Sequence, residues 1–215
     1  MKLGSKLLLP SIVTAVVALG CGAVNSLLMN REAADIAKTY SVDIADLRAV
    51  TGAQEQLGRI HAGVYRTFSL IGSMDDAKIQ AYRSEVQQQI KAMQKEVAAV
   101  GAEHGDQPEL AAGADKLNAQ LTAYAKQSDQ AIDLASVDPN TGVAAMQSAD
   151  EAFRLAAQNA SAYVQTIQSD AESAQTASTQ RANRVAWALG LLSVVLTAAA
   201  LAAGARVLRH LVQAL

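Results

Sequence analysis

The chain has 215 residues, of which 51% are hydrophobic, 18% charged and 4% aromatic. So apolar a composition excludes an intrinsically disordered chain, and a single cysteine excludes a disulfide scaffold or a cysteine-rich zinc site. The formal net charge of −2 provides no basic footprint for nucleic acid. All 20 acidic residues lie between Glu32 and Glu172, so the sequence divides into an acidic middle and two apolar ends that carry only bases.

The two apolar ends are long enough to cross a bilayer. Residues 7–29 and 185–205 contain 23 and 21 uncharged residues, and a helix needs roughly 20 residues to span about 30 Å of hydrocarbon. The basic segments 1–6 and 206–215 predict cytoplasmic ends and an exported middle, with lipid contact along both spans. The first stretch is also compatible with a cleaved signal peptide because two lysines precede it, but its length favours an uncleaved anchor.

The middle of the chain, residues 30–184, is predicted to be an all-α, antiparallel up-down-up-down four-helix bundle. Its turn and cap signals are Ser73 to Asp76, Gly101 to Pro108, and Asp138-Pro139, and in the first of them Ser73 is the expected N-cap. They predict helices over about 30–73, 75–103, 108–136 and 139–184. Apolar residues spaced four and three apart indicate near-antiparallel, coiled-coil-like packing, and no strand pattern occurs.

The same spacing predicts the core positions of each helix. In the first helix they are Ile44, Leu47, Thr51, Gln54, Leu57, Ile60, Val64, Phe68 and Ile71. In the second they are Ile79, Tyr82, Val86, Ile90, Met93, Val97 and Val100. In the third they are Leu110, Ala114, Leu117, Leu121, Tyr124, Ser128, Ala131 and Ala135. In the fourth they are Met146, Ala149, Phe153, Ala157, Ala160, Val164 and Ile167.

Three short motifs accompany this layout. They are Arg59-Ile60 with Val64-Tyr65-Arg66, the segment from Pro139 to Phe153, and the run from Arg206 to Leu211. Together with the layout they resemble the sensory half of bacterial methyl-accepting chemotaxis receptors, and the last motif resembles the opening of a HAMP linker. The resemblance implies a homodimer in the inner membrane, a periplasmic ligand-binding domain, and cytoplasmic kinase-control machinery reached through further domains downstream.

One candidate ligand site lies on the outer face of the first helix. At 100° per residue, the residues opposite the core are Arg48, Gly52, Glu55, Arg59, Ala62, Gly63 and Arg66. Small residues permit close approach of another helix, which predicts a dimer seam, and arginine matches the geometry of a carboxylate. The alternative is that these arginines are solvated surface residues.

A second candidate site lies inside the bundle, at the end away from the predicted membrane. Counting levels down from the turns at that end places Arg66, Arg83, Ser128 and Gln147 at one level beside Tyr65 and Tyr82, and His61, Gln89, Tyr124 and Asp150 one turn lower. The predicted ligand-binding residues of the two sites are Arg59, His61, Tyr65, Arg66, Tyr82, Arg83, Tyr124, Ser128 and Gln147. A polar layer in a helical core costs stability but can line a pocket between helices. The alternative is a polar layer that only fixes helix register.

These patterns predict a sensory module that binds a small anionic ligand, an organic acid or amino acid, and passes a helix shift to a cytoplasmic signalling domain. Catalytic motifs are missing, and the histidines at 61, 104 and 210 are too far apart for an obvious metal site. We therefore expect no enzyme activity, cofactor, metal or nucleic-acid partner. Two alternatives stay open: the sensory half of a histidine kinase or cyclase, and a structural membrane-anchored scaffold without a ligand.

Overall fold

The computed structural model describes the backbone of residues 3–213, with side chains except at positions 3–11, 13, 14, 17, 21, 32, 35, 207, 208 and 210–213. The regular structure in this range is helical throughout. It comprises α1 (Leu3–Leu70), a 3-10 turn (Ile71–Ser73), α2 (Asp76–Glu103), α3 (Pro108–Val137) and α4 (Pro139–Gln213). The predicted all-α, four-helix architecture is therefore confirmed.

The described chain divides into two compact units. One unit is Ser41–Glu172, which contains the buried core, and the other consists of the helical segments that precede and follow it in the sequence. Among the described residues a single helical stretch, Pro139–Arg206, has a window apolar enough to cross a membrane, with a mean hydropathy of 2.2 and no buried residue. The predicted first span, 7–29, and the predicted segments 1–6 and 206–215 include positions that lie outside the described residues.

The helix boundaries follow from local capping chemistry. Asp75 caps α2 by accepting a hydrogen bond from the Lys78 backbone N–H at 2.8 Å, and the Asp138 carboxylate caps α4 by accepting from the N–H groups two and three residues on. The prediction of Ser73 as the cap is wrong. Its hydroxyl donates back to the Leu70 carbonyl at 2.7 Å, which closes the 3-10 turn and leaves the capping position to Asp75.

The core of the Ser41–Glu172 unit is made of apolar side chains from all four helices. Every predicted core position of α3 is buried, and so is every one of α2 except Tyr82, which is half-buried. Burying an aliphatic side chain of this size contributes about 1.5–3 kcal/mol, so the two apolar stripes are sufficient to fix the facing sides of α2 and α3.

The predicted core register of α1 is wrong over its first half. Thr51 is exposed and Gln54 is half-buried. The buried positions keep a spacing of four and three, but they are Asp46, Val50, Ala53, Leu57, Ile60, Val64, Thr67 and Ile71. The series begins with a carboxylate and includes a threonine, so hydrophobicity alone does not reveal it.

In the fourth helix the predicted register slips by one residue in the middle. The half-buried residues are the predicted positions Phe153, Ala157 and Val164, and the buried ones are Ala152, Ala156 and Tyr163. The bulky Tyr163 is accommodated by a glycine on α3, because a Cβ on Gly113 would lie 2.5 Å from the tyrosine ring. A Cβ on Gly142 of α4 would likewise clash with the Ala135 Cβ of α3. Close contact between these helices therefore depends on two glycines and on small alanines.

Candidate functional site

Three helices bring polar and aromatic side chains together within the bundle. We call this group the His61 cluster: His61 and Tyr65 of α1, Tyr124 of α3, and Asp150 and Phe153 of α4. Tyr124 belongs to the core stripe of α3 and is fully buried, whereas Asp150 is half-buried at the edge of the core. As the level counting predicts, His61, Tyr124 and Asp150 lie side by side.

Hydrogen bonds link the cluster across its helices. His61 Nδ1 lies 3.2 Å from the Tyr124 hydroxyl, and His61 Nε2 lies 3.5 Å from Asp150 Oδ1. The Tyr65 hydroxyl donates to Asp150 Oδ2 at 2.5 Å. With its hydrogen on Nε2, the imidazole accepts from the Tyr124 hydroxyl through Nδ1, while Nε2 faces Asp150 without a hydrogen bond to it. Asp150 Oδ1 is buried and has no hydrogen-bond partner among the described residues.

Aromatic contacts hold the imidazole in place. The Phe153 ring stacks on His61 with centroids 3.8 Å apart and planes at 2°. Tyr65 and Tyr124 meet the imidazole edge-on, with centroids at 5.2 and 5.7 Å. Aromatic pairs contribute about 0.5–1.5 kcal/mol beyond area burial. The rings therefore fix the directions in which the two histidine nitrogens point.

The ionisation of the cluster follows from burial and from Asp150. Burial lowers the pKa of His61, and the Asp150 charge offsets this only in part. The hydrogen bond with Asp150 raises the pKa of Tyr65 to about 12, and burial raises the pKa of Tyr124 further. At neutral pH the histidine is therefore uncharged and both tyrosines keep their protons.

The three predicted arginines differ in their partners. Arg83 of α2 donates to both carboxylate oxygens of Asp129 at 2.8 Å and to Asp133 at 2.5 Å, and its side chain is 18% exposed. Arg59 is exposed and lies 3.7 Å from a glutamate one turn earlier. Arg66 is exposed and makes no salt bridge with the described residues. Of these three guanidinium groups, Arg66 is the one left open.

Tyr82 of α2 lies close to Arg66. Its hydroxyl occupies space beside Gly63, where a Cβ would lie 2.7 Å from the oxygen. Burial raises the pKa of Tyr82, and the nearby Thr67 side chain and Arg66 charge oppose that rise. The prediction that Gly63 lies on the outer face is therefore wrong, because the missing side chain is what admits the tyrosine from α2.

The other predicted residues do not join the His61 cluster. Ser128 is fully buried and donates to the carbonyl three residues earlier at 3.2 Å. Gln147 is exposed, and Gln89 donates to Glu85 on its own helix at 2.9 Å. The polar layer is therefore smaller than predicted and is centred on the histidine.

An open groove of about 430 Å³ adjoins the cluster. Its lining comes from α1 and α4 and consists of Gln54, Phe153, Arg154, Ala157, Gln158, Ser161, Ala162 and Gln165. Gln54 donates to Ser161 across the groove at 3.1 Å. Phe153 belongs to both groove and cluster, so a molecule in the groove would contact the ring that stacks on His61.

Two ion pairs of the structure are not among the features predicted from the sequence. The acids that neutralise Arg83 stand at positions 129 and 133, and their spacing of four residues on one helix face was the available signal. The second pair joins His104 to the buried Asp46 at 2.6 Å. These residues lie 58 positions apart, and no local pattern connects them.

The described residues form a helical bundle with a hydrogen-bonded polar cluster and one long apolar helix. Residues 1–185 match the family described as a four helix bundle sensory module for signal transduction. The chain therefore belongs to this family of methyl-accepting chemotaxis receptor modules, which confirms the resemblance seen in the sequence. No curated protein and no solved structure matches the chain.

Proposed function

We propose that the chain is the periplasmic sensory module of an inner-membrane chemoreceptor, and that it binds a small anionic ligand and passes a helix shift to a cytoplasmic signalling domain. The observation that carries this proposal is the family match over residues 1–185. Family membership supports the role in signal transduction. The ligand class is argued from the arginines.

Arg66 is the best placed group for a carboxylate ligand. It is exposed and near the Tyr82 hydroxyl, so a guanidinium fork and a phenol stand on adjoining helices. Arg59 lies two turns earlier on the same face, and its pairing with Glu55 is between side chains that are each 68% exposed. Such surface pairs are worth about 0–1 kcal/mol, so a ligand can displace the glutamate. Arg83 is already neutralised by two carboxylates, and we assign it a structural role.

The first helices of two copies would meet on this same face in the proposed homodimer. Gly52 supports that arrangement, because a Cβ there would meet nothing within 4 Å. A second helix can therefore approach α1 at this point without displacing any side chain of its own bundle. A seam of this kind would place Arg59 and Arg66 beside the partner subunit.

The His61 cluster is suited to act as the two-state element. Asp150 stands on α4, a single helix from Pro139 to Gln213, and it bonds to Tyr65 of α1. A shift of about 1–2 Å between these helices, a known switching mode, would lengthen the bond from Tyr65 or close the 3.5 Å gap between Asp150 and His61. The ligand contributes only its difference in affinity for the two arrangements.

Thermal melting of the full chain in lipid nanodiscs tests the proposal. A compound that binds the folded state raises the midpoint, and we expect this from a member of a panel of organic acids and amino acids. Arg66→Ala should abolish the increase. Lys78→Ala is the control, because that cation is exposed, lies outside the groove and pairs with Asp75 three residues earlier, and the increase should persist. An increase that survives Arg66→Ala would contradict the proposed site, and no increase with any compound would contradict the ligand class.

A further inference from the structure

A second histidine–aspartate pair ties the connection between α2 and α3 to α1. His104 follows the last residue of α2 and places Nε2 2.6 Å from Asp46 Oδ2. The side chains of the histidine and the aspartate are 12% and 4% exposed. The contact is therefore tertiary and shielded from water, and it lies outside the proposed ligand site.

The pair is surrounded by titratable groups from every helix of the bundle. The acidic groups whose charges affect His104 come from α1, α2 and α4. A tyrosine of α4 lies near Asp46, and that tyrosine also lies near an acidic residue of α3. These groups are Asp43, Asp46, Glu103, Asp170, Tyr163 and Asp115. A protonated His104 is therefore attracted to several carboxylates, and this attraction is lost when the imidazole is neutral.

These surroundings determine how the pair responds to pH. Burial lowers the pKa of His104, but the hydrogen bond and charge of Asp46, with the charges of Glu103 and Asp170, outweigh burial and leave the pKa above 6.5. Burial and the Asp46 charge raise the pKa of Asp43. Since the histidine pKa is raised in the folded state, its stabilisation is complete below the unfolded pKa and disappears as pH rises through the folded value.

Two buried polar atoms lie in the neighbourhood of the pair. Gln107 Oε1 and Tyr163 Oη are buried without a hydrogen-bond partner among the described residues. Gln107 belongs to the connection itself, and Tyr163 lies close enough to Asp46 for that charge to raise its pKa. Buried unsatisfied polar atoms are costly, and opening the connection to water would satisfy them.

We propose that the His104–Asp46 pair is a proton-operated latch, which holds the α2–α3 connection against α1 while His104 is protonated and releases it when the proton is lost. Release exchanges a charge-assisted hydrogen bond for hydration of the buried oxygens. The closed state therefore prevails at acidic pH and the open state at alkaline pH. The consequence for signalling, a sensory bundle that responds to external pH, rests on the proposed function, but the latch does not.

NMR titration of the imidazole C–H signals in the full chain, held in nanodiscs, measures the proton directly. The chain has three histidines, and His61→Gln and His210→Gln assign the third. We expect the His104 midpoint above 6.5 and a lower midpoint in Asp46→Asn. A His104 midpoint at or below 6.5, or one that Asp46→Asn leaves unchanged, would overturn the latch.

Amide hydrogen exchange over residues 102–107, corrected for the intrinsic effect of pH, measures opening. Protection in the wild type should fall as pH rises from about 6 to about 9, by roughly tenfold for each unit by which the histidine pKa is raised. His104→Lys retains the charge and should stay protected throughout, while His104→Gln should be open at both extremes. Asp150→Asn, in the other histidine pair, should keep the wild-type profile. Protection that is constant with pH in the wild type would refute the proposal, and neither measurement depends on a ligand.

Discussion

The two histidine–aspartate pairs of this bundle are built from the same side chains and behave oppositely. At His61 the nearest Asp150 oxygen is 3.5 Å away and that side chain is 43% exposed. At His104 the distance to Asp46 is 2.6 Å and the aspartate is 4% exposed. The pKa of His61 is lowered by burial, whereas the pKa of His104 is raised because its carboxylate outweighs burial.

The difference shows that distance and solvent shielding determine which effect prevails. A charge in contact with water is screened, and its interaction weakens accordingly. One oxygen of Asp150 also accepts a hydrogen bond from the Tyr65 hydroxyl, whereas Asp46 is bonded only to His104 among the described hydrogen bonds. The His61–Asp150 pair is therefore an uncharged contact that can rearrange, whereas the His104–Asp46 pair is a charged hydrogen bond that holds the α2–α3 connection to α1.

The largest expected effect comes from removing each carboxylate. Asp46→Ala leaves a shielded histidine without its partner, and we expect a loss of about 3 kcal/mol in the free energy of unfolding at pH 6. Asp150→Ala removes a half-exposed group and should cost about 1 kcal/mol. Urea unfolding of the full chain in nanodiscs measures both. Equal losses would erase the proposed distinction between the two pairs.

Two tyrosine substitutions, one near each histidine, are expected to have smaller effects on the free energy of unfolding. Tyr124→Phe removes the hydroxyl that contacts His61 and should cost about 1 kcal/mol. Tyr163→Phe removes a hydroxyl without a hydrogen-bond partner among the described residues. The free energy of unfolding should therefore stay the same or increase by up to about 1 kcal/mol. The same urea titration distinguishes them, and a costly Tyr163→Phe with a neutral Tyr124→Phe would contradict this assignment.

The smallest effect is a difference in the sign of pH dependence. Since the folded pKa of His61 is lowered, its neutral form favours folding and stability is lost as pH falls below the unfolded value. For His104 stability is lost as pH rises. His61→Gln should therefore weaken the loss of stability at acidic pH, and His104→Gln should weaken the loss at alkaline pH. Melting midpoints from pH 5 to 9 measure the slopes, and slopes changed in the same direction would refute the contrast.

The parts of the fold that the sequence predicts are those in which apolar spacing is strong. The cores of α2 and α3 follow from stripes such as Val86, Ile90 and Met93, and Pro108 marks a helix start directly. The first half of α1 is mispredicted because Asp46 occupies a core position, and a carboxylate there is stable only with a partner that the sequence does not reveal.

The same limit applies to the candidate site. Helix length and turn position bring His61, Tyr124 and Asp150 to one level, and this grouping is predictable from counting residues. The stacking of Phe153 on His61 depends on a helix rotation of one position, which the many alanines of α4 do not specify. The pair between His104 and Asp46 arises only once the bundle closes.

A chimera tests the sensory role most directly. Residues 1–215 are joined to the signalling half of a chemotaxis receptor, and kinase activity is measured in membrane vesicles with the compounds that raise the melting midpoint of the chain. A sensory module predicts that such a compound changes kinase activity, that Arg66→Ala abolishes the response, and that Lys78→Ala retains it. Kinase activity that stays constant while the compound is bound would contradict the account.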